Sequence, residues 1–194
     1  MTTQLLVARA PGRPAAWAWK GVGGVAPSLD ADAGITALYQ SHQRAMVRLS
    51  TLLLRDSMLA EEIVQDSFVA VHRHWRRLRQ PEHALAYLRQ TVVNRSRSAL
   101  RRRAVEQRYV PPVVREAPGA DEDVLVGERR TAVLDALQLL PTRQREVLVL
   151  RYYLDLSEAD IAATLDISRG AVKSHASRGS ARLRELLAGE VGPR

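Results

Sequence analysis

Residues 157–187, SEADIAATLDISRGAVKSHASRGSARLRELL, decide how this chain is read. They describe two short helices joined by a tight turn, the second of them basic. Ser157 stands where a helix N-cap belongs. Asp160 follows three residues on, a capping-box spacing with Asp in place of the usual Glu. Ile161, Ala162 and Leu165 line one face at helical spacing. Asp166 falls where the chain must turn, and Asp tolerates the left-handed conformation better than most residues. Ile167 plugs the turn and Ser168 caps the second helix. Val172, Ala176 and Leu183 continue the apolar stripe, while Arg169, Lys173, Ser174, Ser177 and Arg178 occupy the other face. This is the layout of a helix-turn-helix, in which one helix braces and the other enters the DNA major groove. Groove readers touch base edges, so the element predicts sequence recognition as well as charge attraction.

Upstream, Val126, Val133, Leu134, Leu137 and Leu140 form an apolar stripe. Pro141 then opens a helix carrying Val147, Leu148 and Leu150 and closing at Tyr152 and Tyr153. Before this unit lies Gln107 to Asp123, QRYVPPVVREAPGADED, whose prolines and lack of periodicity predict a linker. Three further helices are expected before the linker. The first runs from about Ile35 to Leu54, with Ile35, Leu38, Tyr39, Met46, Leu49 and Leu53 on one face. The second follows Asp56 and Ser57, both suitable caps, and runs to about Leu78. Its stripe is Leu59, Ile63, Phe68, Val71, Trp75 and Leu78. Glu61 and Glu62 sit in its first turn and Arg73, Arg76 and Arg77 in its last, as the helix dipole prefers. Gln80 and Pro81 interrupt the chain. The third helix runs from about Glu82 to Arg103 and buries Leu85, Leu88, Val92 and Ala99. It carries Arg89, Arg95, Arg97, Arg101, Arg102 and Arg103 without an acid from Ala84 onward. A solvated helix mixes signs, so a face of one sign calls for a partner.

No strand-type alternation occurs, and the expected fold is all-α: two small helical domains joined by a flexible linker, the C-terminal one holding the helix-turn-helix. The expected division is a disordered tail over residues 1–30, a helical domain over 31–106, the linker over 107–123 and the DNA-reading domain over 124–190. Trp17 and Trp19 are unusual in a tail otherwise rich in Pro and Gly.

The chain has 29 Lys+Arg against 21 Asp+Glu in 194 residues, a net charge of +8. That balance favours an anionic partner, nucleic acid before membrane. Only Lys20 and Lys173 are lysines, so an Arg-rich genome composition also contributes; the placement of the charge carries more weight than its sum. The absence of cysteine excludes disulfides, thiol catalysis and cysteine-ligated metal. His72 and His74, two apart, point to different faces of a helix, and no metal site is expected. No apolar run approaches the roughly 20 residues of a membrane span, and the N-terminus has no clean signal sequence. No Gly-rich phosphate loop or paired His and carboxylate marks a catalytic centre. The expectation is a cytoplasmic, non-enzymatic protein with no cofactor, no small-molecule substrate and no membrane insertion.

At this point three segments carry a resemblance. DSMLAEEIVQDSFVAVHRHW (56–75) resembles the core-binding helix of bacterial sigma factors. AYLRQTVVNRSRSALRRR (86–103) resembles their promoter-melting helix. LPTRQREVLVLRYYLDLSEADIAATLDISRGAVKSHASRGSARL (140–183) resembles their C-terminal DNA-reading domain. Order, spacing and length are similar to the extracytoplasmic-function (ECF) subfamily of the sigma-70 family, and within it to the actinobacterial sigma-E-like group. The resemblance implies a promoter-specificity subunit that binds core RNA polymerase and promoter DNA, with an anti-sigma factor as a further partner. It implies polymerase docking by Glu62, Gln65 and Asp66. It implies −10 recognition by the turn at Gln80 and His83 with Asn94, Arg95, Arg97 and Ser98. It implies −35 recognition by Arg169, Lys173, Ser174, Ser177, Arg178 and Arg182. The residue types suit those tasks: Lys and Arg match guanine acceptors, Asn reads a base edge through its amide, and arginines track single-strand phosphates.

The sequence departs from the subfamily pattern at His175, where Arg is common, and at Gly170-Ala171, where Gly-Thr is frequent. Gly179 lies inside the recognition helix, where Gly costs about 1 kcal/mol relative to Ala; close packing against another helix would explain it. Two other classes fit parts of the chain. A two-domain regulator that does not bind polymerase would share the final domain, but its usual strand–helix receiver is missing. A helical interaction protein of the anti-sigma type would share the helices, but not the acid-free arginine face.

Overall fold

The computed structural model describes residues 31–78, 81–106 and 124–190, and every regular element among them is an α-helix. The expected tail and linker lie outside the described residues, as does Gln80. Helices α1 (Ala31–Leu54), α2 (Ser57–Leu78) and α3 (Pro81–Glu106) form one unit. Helices α4 (Val124–Gln138), α5 (Thr142–Tyr152), α6 (Glu158–Leu165) and α7 (Arg169–Glu190) form the other.

In the first unit the expected stripes meet. Leu38, Met46, Leu49 and Leu53 of α1, Ile63, Phe68 and Val71 of α2, and Leu88, Val92 and Ala99 of α3 are all buried. Val64 and Val93 are buried as well, one position beside each stripe, because within this unit α2 and α3 each pack against both of the other helices. The polar groups in this core are satisfied: the hydroxyls of Ser50 and Ser96 lie 3.0 Å apart, and Ser67 donates to the Ile63 carbonyl. Arg55 takes the left-handed conformation (φ 57°) that ends α1, and the Asp56 side chain accepts from the Leu59 N–H to cap α2. Gly34 is required by its neighbour, since a Cβ there would lie 2.0 Å from the Trp75 ring.

The second unit is built around α5, whose residues Arg145 to Leu150 are all buried, so this helix is enclosed on every side. Against the expected stripe, Val133 is exposed, as is Tyr152 at the end of α5. The helix-turn-helix forms as the sequence predicts. Ser157 caps α6 by accepting from the Asp160 N–H, and its hydroxyl donates back to the Asp160 carboxylate at 2.6 Å. Asp166 sits at φ 54°, ψ 54° in the turn, and the Ser168 hydroxyl accepts from the Ala171 N–H to cap α7. Ile161, Leu165, Val172 and Ala176 are buried between the two helices and α5. A Cβ on Gly179 would come within 3.2 Å of Gln144 and Leu148 of α5, the close helix approach that accounts for Gly at this position.

The two units also touch. Helix α1 lies against α4 and α5, and α3 lies against α6.

Candidate nucleic-acid interface

Helix α7 buries Val172, Ala176 and Gly179 on one face. At 3.6 residues per turn, Lys173, Ser174, Ser177 and Arg178 occupy the centre of the opposite face, with Arg169 and Arg182 on its flanks. All six are exposed. Their present partners are local and easily exchanged. Arg178 donates to the Ser174 hydroxyl at 2.6 Å, Arg182 meets Glu185, and Lys173 stands 3.8 Å from Glu158. Glu158 is shared with Arg151, at 3.9 Å. A capped, positively charged helix braced at its back by α5 and α6 is shaped for a major groove.

On α3, His83, Asn94, Ser98 and Arg101 fall along one stripe of the helix. Asn94, Ser98 and Arg101 are exposed, and Ser98 donates to the Asn94 carbonyl while accepting from Arg101. The other two −10 candidates leave this stripe in opposite directions. Arg95 turns toward α2 and binds Asp66 at 2.7 Å. Arg97 turns toward the second unit, where its fork meets Glu146 at 2.7 and 3.0 Å and also reaches Asn94. Glu62, Gln65 and Asp66 are exposed together on α2, so the Arg95–Asp66 pair joins the predicted polymerase-docking and promoter surfaces. Beside Glu62 an open groove between α2 and α3 is lined by Met58, Leu59, Ala99 and Arg103.

Sequence reasoning missed Arg145 and Glu146. Arg145 is buried and donates to the carbonyls of Leu53, Gln138 and Leu140 and to the Gln138 side chain. It thereby caps the C-terminal ends of α1 and α4 together, where the helix dipoles favour a cation. Burial pushes its guanidinium below the ordinary arginine value, and neighbouring Glu146 opposes that shift. Glu146 is 2% exposed and takes Arg97 and Arg143. In sequence both belong to the polar run TRQRE, which shows no sign of burial; only the unbroken apolar run after it hints that α5 is enclosed.

Among the described residues no group of His, Asp and Glu is arranged to hold a metal ion, and no helix is long and apolar enough to cross a membrane.

The family described as Sigma-70 region 2 matches residues 38–105, and Sigma-70, region 4 matches residues 130–183. The RNA polymerase sigma-E factor of Streptomyces avermitilis is 32% identical over 148 residues, 76% of this chain and 82% of that protein. The ECF RNA polymerase sigma factor SigM of Mycobacterium tuberculosis is 34% identical over 150 residues, 77% and 75% of the two chains. Among solved structures, the sigma factor RpoE of Bartonella quintana, in complex with the anti-sigma factor NepR, shares the fold with a TM-score of 0.66 at 23% identity. That match covers 81% of this chain and 98% of the other. CnrH, in complex with the cytosolic domain of CnrY, gives 0.61 at 25% identity, covering 82% and 95%.

The chain belongs to the sigma-70 family of RNA polymerase sigma factors, in its ECF subfamily. Its function is that of the family: it binds core RNA polymerase and directs initiation at specific promoters.

Proposed function

We propose that the two units divide the promoter between them, α7 reading the −35 element and α3 reading the −10 element, while α2 docks on polymerase. The observation that carries this reading is the exposed face of α7, where Lys173, Ser174, Ser177 and Arg178 stand opposite the stripe packed on α5 and α6. Lys173 and Arg178 act at base edges, where each supplies donors suited to guanine. Arg169 and Arg182, on the flanks, act at phosphates. On α3, Asn94 and Ser98 meet exposed bases of the opened strand, and Arg95 and Arg97 hold its backbone. His83, near the start of α3, and Gln80, outside the described residues, belong to the same −10 assignment. On α2, Glu62, Gln65 and Asp66 supply an acidic edge beside the Met58–Leu59 groove, a combination suited to a basic helical partner.

The domain division at residues 107–123 belongs to the same proposal, as does the absence of catalytic activity in the chain itself: the chemistry of RNA synthesis resides in the polymerase. Its place of action is the cytoplasm, on nucleoid DNA. A partner of the anti-sigma kind is also part of it, in line with the complex in which RpoE of Bartonella quintana was solved.

The test is binding of the holoenzyme to a set of −35 point variants at two salt concentrations, with single alanine variants of α7. Lys173→Ala and Arg178→Ala should each relax preference at one base position. If both weaken every sequence equally, they are not readers.

A further inference from the structure

The exposed residues of α7 do not all face DNA in the same way. Ser174 and Arg178 lie one turn apart on the exposed face of that helix. Arg178 donates from Nε to the Ser174 carbonyl at 3.3 Å and from Nη2 to the Ser174 hydroxyl at 2.6 Å. One residue therefore supplies both acceptors, and they engage a single edge of the planar guanidinium, the edge that carries Nε. The outer edge, formed by Nη1 and Nη2, is turned away from Ser174 and carries an N–H on each nitrogen. Two parallel donors of this kind match the O6 and N7 acceptors of guanine.

Lys173 and Arg182 on the same helix are held differently. Lys173 stands 3.8 Å from Glu158, and Arg182 meets Glu185 at 3.1 Å. A carboxylate offsets the charge of its partner and is repelled when a polyanion approaches. Ser174 is neutral, so Arg178 keeps its whole charge, and its outer edge reaches DNA without a change of partner. An arginine plane that is already oriented also loses less freedom on binding than one that must first be fixed.

We propose that Ser174 is a positioning residue for Arg178: it fixes the guanidinium plane so that the outer edge meets one guanine of the −35 element, and it neither reads a base of its own nor holds a phosphate. This rests on the assignment of α7 to −35 and of Arg178 to base edges.

The experiment uses the full chain bound to core polymerase. Its affinity is measured by competition on duplexes that carry each single-base variant of the −35 element. Arg178→Ala identifies the position that Arg178 reads, because preference should fall there alone. Ser174→Ala should relax preference at that same position about two- to tenfold, the range expected for the loss of one hydrogen bond. Preference elsewhere and the salt dependence should be unchanged. In the Arg178→Ala background, Ser174→Ala should add nothing further. Ser174→Thr keeps the hydroxyl and should keep the wild-type preference. Alanine favours a helix more than serine does, so a loss in Ser174→Ala cannot come from a weakened α7.

Relaxation at a different position, or an effect of Ser174→Ala that persists without Arg178, means that Ser174 reads its own base and overturns the proposal. Equal weakening of every sequence places Ser174 at a phosphate and overturns it too. So does unchanged preference in Ser174→Ala, or a Ser174→Thr variant that behaves like Ser174→Ala. In all these outcomes Arg178→Ala still relaxes one position. If Arg178→Ala alters preference at none, the assignment of Arg178 to base edges fails, and the role of Ser174 falls with it.

Discussion

Arg145 and Glu146 are neighbours in sequence and face opposite tasks. Arg145 gathers the carbonyl ends of two helices, while Glu146 reaches across to Arg97. Truncating Arg145 leaves several buried carbonyls without donors, and bonds to a charged donor are worth about 1.5–3 kcal/mol each before relaxation and water entry. Arg145→Ala should lower stability by about 2–3 kcal/mol, read as a shift of the denaturation midpoint; a change below about 0.5 kcal/mol would show that the end caps are dispensable. Gly179→Leu should destabilise for a different reason, since a side chain there meets Leu148 and Gln144 of α5. Overpacking of this kind costs about 1–3 kcal/mol, and a variant as stable as wild type would show that α7 can move away from α5 freely. The sequence signalled Gly179, because a glycine inside a helix asks for a reason. It could not signal Arg145, because the partners are backbone carbonyls from Leu53 to Leu140, and backbone acceptors leave no mark in a sequence.

At the scale of helices, patterning was legible where an element has one buried face. The stripe of α1 apart from Tyr39, which is exposed, the caps Ser157 and Ser168, and the left-handed Asp166 are as the local rules require. Legibility failed where an element has more than one neighbour. Helix α5 is buried all round, so its periodicity vanishes and its charged residues read as surface. The candidate site divides the same way. The α7 residues share one exposed face because a single stripe sets that face, whereas Arg95 and Arg97 of α3 are drawn apart by Asp66 and Glu146 on different neighbours. The acidic edge of α2 gives the prediction that belongs here. Glu62→Ala with Asp66→Ala should weaken polymerase binding while helix content stays constant, since exposed substitutions usually shift stability by less than about 0.5 kcal/mol. A pull-down titration with unaltered affinity would remove this edge from the interface.

For the whole molecule, the sequence predicts two helical units, and the structure sets them against each other through polar contacts at the ends of α1, α4 and α5. Local periodicity carries no information about such a contact. The composition of residues 107–123 predicts that limited proteolysis of the full chain cuts there first; rapid cutting within α2 with that segment intact would count against the domain division. The directness of a sigma factor's task allows one decisive measurement: transcription by core polymerase with and without this chain on fragmented genomic DNA, with the 5′ ends of the RNA sequenced. Transcripts should depend on the chain and begin downstream of two shared motifs at constant spacing, and Lys173→Ala should alter the upstream motif only. Initiation no greater than that of core polymerase alone, or chain-dependent starts with no shared upstream motif, would contradict a role in promoter recognition.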